Sequence, residues 1–479
     1  MSKLYLYNSL SKKKEEFQAI SFPKVGLYTC GPTVYNFAHL GNLRTYLFED
    51  FLKRILIYNA YQVFHVENIT DVGHLTGDMD MGEDKMETGA KREGKSAWEI
   101  AEKYSLAFKT DLKELNILMP DVWEKVSDNI PEQIDLIKTL EEKGFIYQTS
   151  DGLYFDTSKF PDYNKLSHLP LEALKEGARV EKNNEKKNPT DFALWKFSSP
   201  DKKRQMEWDS PWGIGFPGWH IECSAISLKH LTNNLDIHCG GVDHINIHHT
   251  NEIAQSEAAT GNKFFNYWLH GAFLNIPGGK KMAKSDDNFL TLKKALIDKN
   301  LDPLVYRFAA LQVHYRKPME YSEEILKQAQ EGLNSLRRQF AKLDQNKGKT
   351  KIEAKIEAKI NEDLKNKFLE ALNDDLNMPK ALAVVNSVFK AKITEAEKYE
   401  TLVNFDKVLG LKLIQFVNDD EAKEVSALDL TEAIQEKIKL RIIAREQKDF
   451  AKADALRLEI EAAGFIVKDE KYDFKIYKK

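Results

Sequence analysis

Cys30-Gly31-Pro32-Thr33-Val34-Tyr35-Asn36-Phe37-Ala38-His39-Leu40-Gly41-Asn42 is the stretch on which the reading of this chain turns. It puts a thiol at the end of an apolar run and a nucleotide-binding signal nine residues later. Just upstream, Val25-Gly26-Leu27-Tyr28-Thr29 reads as a short buried strand. Downstream, His39 to Tyr61 predicts a helix with Leu43, Leu47, Phe51 and Ile55 on one face. A strand, a turn and a helix that begins with small residues form an anion site. The first-turn N–H groups have no partner inside the helix, and the helix dipole favours phosphate.

The pattern continues outward as an α/β fold. Gln62 to Ile69 is a second strand, with Thr70 and Asp71 at its C-terminal edge, where open parallel sheets bind ligands. Gly77 to Gly94 is rich in Gly, Asp and Lys and reads as an exposed loop. Residues 112–215 read as an insertion between the halves of one nucleotide fold, charged and helical from Asp121 to about Asn188, with a short strand at Leu153-Tyr154-Phe155. The second half predicts a strand at Leu235 to His238, a helix from about His248 to Thr260, strands at Tyr267–Leu269 and Phe273–Ile276, and a helix at Pro303 to Val313. The expected architecture is a Rossmann-like parallel-sheet catalytic domain over 1–320, a helical bundle over 321–416 and a small mixed domain over 428–479. Asn418 to Glu421 reads as the linker, and the repetitive 351–359 segment as an exposed helix or connector.

Bulk properties narrow the function classes. A chain of 479 residues allows about three domains. The net charge of −4 gives no global basic field, so any nucleic-acid contact must be local. Three cysteines are no disulfide framework, which suits a reducing, cytoplasmic setting. Met1 to Phe17 has no apolar core of a signal peptide, and no run is long enough to span a membrane.

Two further constellations carry chemistry. Lys281-Met282-Ala283-Lys284-Ser285 follows a Pro277-Gly278-Gly279 turn. Two lysines and a hydroxyl on a loop suit a phosphoryl group that gains charge in a transition state, although such a loop also reads as merely solvated. His248 and Glu252 sit at i and i+4 on one helix face. With Cys30 and Cys223 they would make a site suited to Zn²⁺. The alternative is two small buried thiols and a surface hydrogen bond. His249 lies about 100° round the helix and is left out. His220 stays open between pocket and core.

HLGN at 39–42 and KMAKS at 281–285 together resemble the HIGH and KMSKS signatures of class I aminoacyl-tRNA synthetases, with Leu40, Asn42 and Ala283 as the departures. NITD at 68–71, DFALWK at 191–196, SPWGIGFPGWHIECSA at 210–225, DIHCGG at 236–241 and HHTNE at 248–252 narrow the resemblance to the cysteine-specific family of that class. The resemblance implies ATP-dependent attachment of L-cysteine to tRNA(Cys) through a cysteinyl-adenylate. It implies one Zn²⁺ per chain on Cys30, Cys223, His248 and Glu252, reading the substrate thiol. ATP, with Mg²⁺, falls to His39, Gly41, Asn42, Lys281, Lys284 and Ser285, of which His39, Lys281 and Lys284 are catalytic. Thr70, Trp219 and His238 match the amino-acid pocket. The expected state is a cytoplasmic monomer.

Three positions depart further from the family. Thr250 stands where Glu is common, Cys239 where glycine is, and the tail 471–477 lacks the usual Gly-Thr-x-Trp pattern. Two rival readings stay open from the sequence: a ligase that passes cysteine to an amino sugar, and a zinc-dependent RNA-binding protein without activity.

Overall fold

The computed structural model describes residues 3–478 except 76–82, 170–183, 200–202, 232–234, 277–279, 282–288, 347–358, 421–422, 425–429, 448 and 470–473. At its centre lie β1 (Lys24–Thr29), α1 (Leu40–Tyr58), β2 (Gln62–Ile69), β3 (Val122–Lys125), α2 (Trp219–Leu231), β4 (Ile237–Gly241), α3 (His248–Thr260) and β5 (Tyr267–Gly271). The five strands form one sheet in the order β5-β4-β1-β2-β3, every pair parallel. The chain runs outward from β1 to β3, then restarts at β4 on the other side of β1. That reversal opens a crevice at the C-terminal ends of β1 and β4. Val25, Leu27 and Tyr28 of β1 are buried, as a strand covered on both faces requires.

The expected apolar stripe of α1 is the buried one: Leu43, Leu47, Phe51 and Ile55 are all in the core. A buried ion pair ties α1 to the helix Leu304–Leu311, with Arg307 Nη2 donating to Asp50 Oδ2 at 2.6 Å and Arg54 Nε at 2.8 Å. Burial alone would raise the Asp50 carboxyl, but Arg307 and Arg54 outweigh it and hold it below its usual range. Removing either partner would leave a charge in the core, a loss of about 3–5 kcal/mol.

Two local expectations are corrected. Gly77 to Gly94 is no loop where it is described: Lys85–Glu93 is a helix capped by Asp84, whose carboxylate accepts from Met86 N and Glu87 N. Lys91 and Arg92 fill its last turn and Gly94 ends it at φ 64°, a left-handed position that suits glycine. The helix-stop chemistry was present, but high Gly and Asp content masked it. The span 121–188 is also less helical than expected. It opens with β3, an edge strand of the main sheet that follows Pro120, and among its described residues contains one α-helix, Ile130–Glu142. Strands Ile146–Thr149 and Gly152–Phe155 then join Phe192–Phe197 and Gly215–Pro217 in a four-stranded antiparallel sheet. The aromatic and β-branched residues here favour a pleated surface. Trp195, Phe155 and Phe192 of that sheet pack with Ile221 of α2 and Ala254 and Ala258 of α3, so the insertion braces the two helices that carry the site.

The chain separates into two compact units, one of residues 1–333, 361–391 and 407–411 and one of residues 334–360, 392–406 and 412–479. The expected helical segment 321–416 is therefore shared between them. Its helices are Glu323–Asn346, Glu362–Asn373, Met378–Lys390, Glu395–Leu409 and Leu413–Asp420. Asn418 to Asp420, read as linker, closes the last of these. Within the second unit, Leu430, Ile434, Ile438, Ile460, Val467 and Ile476 form a small core of their own. Residues 351–358 of the repetitive segment lie outside the described residues.

Candidate metal and nucleotide site

A cavity of about 380 Å³ opens at the C-terminal edge of the sheet. Its wall contains Cys30, Cys223 and His248, then Thr70 and Trp219, and then His39, Gly41 and Asn42. Most residues expected from sequence thus share one space, and each arrives there from the end of a strand or the start of a helix.

Cys30 ends β1. Its Sγ lies 4.0 Å from Cys223 Sγ, 4.0 Å from Glu252 Oε1 and 3.4 Å from His249 Nε2. His248 Nε2 is 3.1 Å from Glu252 Oε1. Donors bound tetrahedrally at ordinary zinc distances stand roughly 3.3–3.8 Å apart, so this spacing fits one ion. Cys30, His248, His249 and Glu252 each offer a donor atom within 4.8 Å of all the others, and all four are buried. His249 therefore stands beside the donors although helical geometry set it aside. Both histidines open α3, and in that first turn both imidazoles reach Glu252.

The donors are held from behind. His249 Nδ1 pairs with His270 Nε2 at 2.8 Å, and His270 Nδ1 with Ser9 Oγ at 2.8 Å. His248 Nδ1 is 3.0 Å from His220 Nδ1, which moves His220 from an open assignment to a support. His238, expected in the amino-acid pocket, is fully buried, stacks on Trp268 at 4.5 Å and meets Glu252 Oε2 at 3.0 Å. It orients a donor and is not among the cavity-lining residues. Cys239 is buried one residue further on, outside the donor group.

The electrostatics suit a cation. Burial pushes the Cys30 thiol well up and holds the His248 and His249 imidazoles well down. Without an ion the group is an assembly of neutral thiols and imidazoles. Neutral imidazole is already the ligand form, and a divalent cation would draw the thiol protons off.

The nucleotide side is built on the start of α1. His39 is its N-cap: Nδ1 accepts from Asn42 N at 3.1 Å while Asn42 Oδ1 accepts from His39 N at 3.2 Å. The cap fixes the tautomer of a neutral His39. With Nδ1 accepting, the proton sits on Nε2. A Cβ on Gly41 would come within 2.9 Å of the His39 ring, so glycine permits the cap. Asn42, expected to reach phosphate through its side chain, spends its carbonyl oxygen on the cap. Lys281 lies on the two-residue strand Lys280–Lys281, paired with Asn275 and Ile276. Lys284 and Ser285 lie outside the described residues. The Phe289 ring meets His39 edge-on at 5.9 Å, and Leu290 O accepts from Leu40 N.

Sequence reasoning missed several residues. Lys85 lines the cavity, its Nζ 5.9 Å from the centroid of the Trp219 ring. The Asp84–Glu87 helix start was the available signal. His244 also lines the cavity, and its buried Nδ1 has no hydrogen-bond partner among the described residues. Thr70 donates to Glu222 Oε2 at 3.4 Å, and Glu222 Oε1 meets His74 Nε2 at 2.9 Å, a buried pair behind the pocket wall.

A family model described as the catalytic domain of class I (C) tRNA synthetases matches residues 16–331. A Burkholderia lata protein named cysteine–tRNA ligase 1 is 47% identical over 466 residues, covering 97% of this chain and 95% of its own. A Treponema denticola cysteine–tRNA ligase is 44% identical, covering 98% of each chain. The fold is also similar to that of a Mycobacterium tuberculosis methionyl-tRNA synthetase in complex with methionyl-adenylate, with a TM-score of 0.55 at 16% identity over 82% of this chain and 91% of that one.

Proposed function

The chain belongs to the class I tRNA synthetases of the cysteine type, and from that membership we propose how its cavity works. It is a ligase that joins cysteine to tRNA. We propose that it does so through a cysteinyl-adenylate, with the thiol of the substrate read at a zinc ion held by Cys30, Cys223, His248 and Glu252. The observation that carries this reading is one cavity lined both by Cys30, Cys223 and His248, with Glu252 buried against them, and by a histidine-capped helix start. When bound there, zinc supplies a soft Lewis acid that favours a sulfur ligand over an oxygen one.

In the first step a carboxylate oxygen of cysteine forms a bond to the α-phosphorus of ATP·Mg²⁺. The bond from that phosphorus to the bridging oxygen breaks, and its electron pair leaves with pyrophosphate. No proton changes hands, so the protein contributes position and charge. His39 Nε2–H and the start of α1 donate to phosphate oxygens. Lys281, Lys284 and Ser285 stabilise the charge that develops. In the second step a hydroxyl of the terminal adenosine of tRNA(Cys) takes the cysteinyl group and AMP leaves. The helices after residue 321 and the unit around Leu430 to Ile476 contact the tRNA by shape and phosphate. Three free thiols suit a reducing, cytoplasmic setting.

ATP–pyrophosphate exchange measured across the twenty amino acids tests the reading. Exchange with cysteine alone, followed by cysteine transfer to tRNA(Cys), supports it. Exchange with none of them, or transfer to an amino sugar in place of tRNA, overturns it.

A further inference from the structure

Two anions must meet in this cavity, the carboxylate of the amino acid and the triphosphate of ATP. Among the described residues that line it, Lys85 is the only lysine or arginine. A cation in a concave wall acts on both, because charge is less screened there than in bulk water.

Lys85 is also held in place. It is the first residue of its helix, directly after the cap Asp84, and its own N–H donates to His74 O at 2.8 Å. Asp84 is buried, accepts from Met86 N at 2.7 Å and pairs with Arg204. Arg204 in turn donates to Gly73 O at 3.1 Å, and its guanidinium lies 3.6 Å from the Phe216 ring centroid. The ammonium then stands 5.9 Å from the centroid of the Trp219 ring, and Trp219 stacks on His248 at 4.4 Å. Ammonium, indole and the imidazole of the thiol-reading group are successive neighbours. An amino acid with its sulfur at the Cys30–His248 group would have Trp219 beside it and, next to that ring, the Lys85 ammonium as a partner for its carboxylate.

We propose that Lys85 binds the carboxylate of the incoming amino acid and holds it for attack on the α-phosphorus. The inference rests on the reading of this cavity as the site that activates cysteine. It assigns the capture of the carboxylate to the start of the helix Lys85–Glu93.

The test uses the zinc-loaded full-length enzyme, its Lys85→Met and Lys85→Arg variants, and two ligands. L-Cysteine carries the carboxylate; L-cysteinol keeps the thiol and amine but has a hydroxymethyl group instead. Binding is followed by titration calorimetry, with ATP binding and zinc content as controls. Lys85→Met is expected to weaken L-cysteine by about 10–100-fold, the size of one charge-assisted hydrogen bond. It should leave L-cysteinol within about twofold, and Lys85→Arg should recover most of the L-cysteine affinity. Equal losses for both ligands would make Lys85 a structural residue and overturn the proposal. So would a loss confined to ATP, which would assign the cation to phosphate, or no change at all. A wild-type enzyme that binds no L-cysteine would instead overturn the reading of the site, so the two failures are separable.

Discussion

The thiol side and the nucleotide side of the cavity are built in opposite ways. On the thiol side, His248, His249 and Glu252 are at most 2% exposed, and each is held by a further buried side chain such as His220, His270 or His238. On the nucleotide side, His39 and Gly41 are half-buried, Asn42 is exposed, and the contacts are a cap, main-chain N–H groups and a loop. A group held on all sides cannot adapt, so it selects by chemistry. An open helix start leaves its N–H donors free to tighten on a ligand as charge develops. Specificity is therefore expected to reside on the first side and rate on the second.

The sharpest break of that division concerns serine, which differs from cysteine by one atom. Shape alone separates such pairs by about 10–200-fold. If the buried group selects by ligand chemistry, pyrophosphate exchange should favour cysteine over serine by about 10⁴–10⁵. Cys223→Ala, or zinc removal by a chelator, should collapse that ratio toward the steric limit and lower the bound zinc measured by elemental analysis. Undiminished zinc in the variant would remove Cys223 from the site. Serine activated within tenfold of cysteine by the zinc-loaded wild type would end the role of the metal in selection.

The nucleotide side should fail differently. Lys284→Ala is expected to lower kcat for adenylate formation by about 10²–10³ with little change in cysteine affinity, because the contact forms mainly in the transition state. A rise confined to the KM for cysteine would place Lys284 on the wrong side of the comparison.

The two sides were unequally legible in the sequence. Strands and helices with continuous apolar runs or a clear stripe, such as β1, α1, β2 and α3, were readable to within three residues, because their patterns match one period. Spacing placed His248 and Glu252 on one helix face. It could not bring His249 in, because the positions of side chains in a helix's first turn depend on what packs around it. His238 lay beyond reach for a related reason: which face of β4 meets Glu252 is a matter of tertiary packing. Lys85 was missed because its helix is short and polar, with capping residues and few apolar ones. The support network of His220, His270 and Ser9 draws on residues far apart in the chain, and no local pattern signals it.

A smaller effect is expected from the end of the chain. Ile434, Ile438, Ile460 and Val467 belong to a core that contains no residue of the parallel sheet. Truncation after Asp420 should leave cysteine-dependent pyrophosphate exchange nearly intact and remove most tRNA charging, read on the same preparation. Parallel loss of both activities would mean that the segment supports the catalytic unit and does not merely present tRNA.

The smallest predicted effect tests what the buried side costs the fold. Glu49 and Glu67 lie buried on α1 and β2, and Glu49 Oε1 and Oε2 and Glu67 Oε1 have no hydrogen-bond partner among the described residues. Burial raises the Glu67 carboxyl to about 8, against the smaller opposing effects of Thr29, Lys53 and Lys109. In the unfolded chain the same group titrates near 4.3. Between about pH 4.3 and about pH 8 the native state keeps a proton that the unfolded state has released. The unfolded state then binds fewer protons, so stability falls as pH rises across that window. Glu67→Gln keeps the size and a hydrogen-bonding head but cannot ionise. Its melting temperature, compared with wild type, should gain from pH 5 to pH 8 by a few degrees, on the order of a few kcal/mol at most. Melting curves that stay parallel across that range would show that Glu67 is ionised in the native state and that its burial costs the fold no proton.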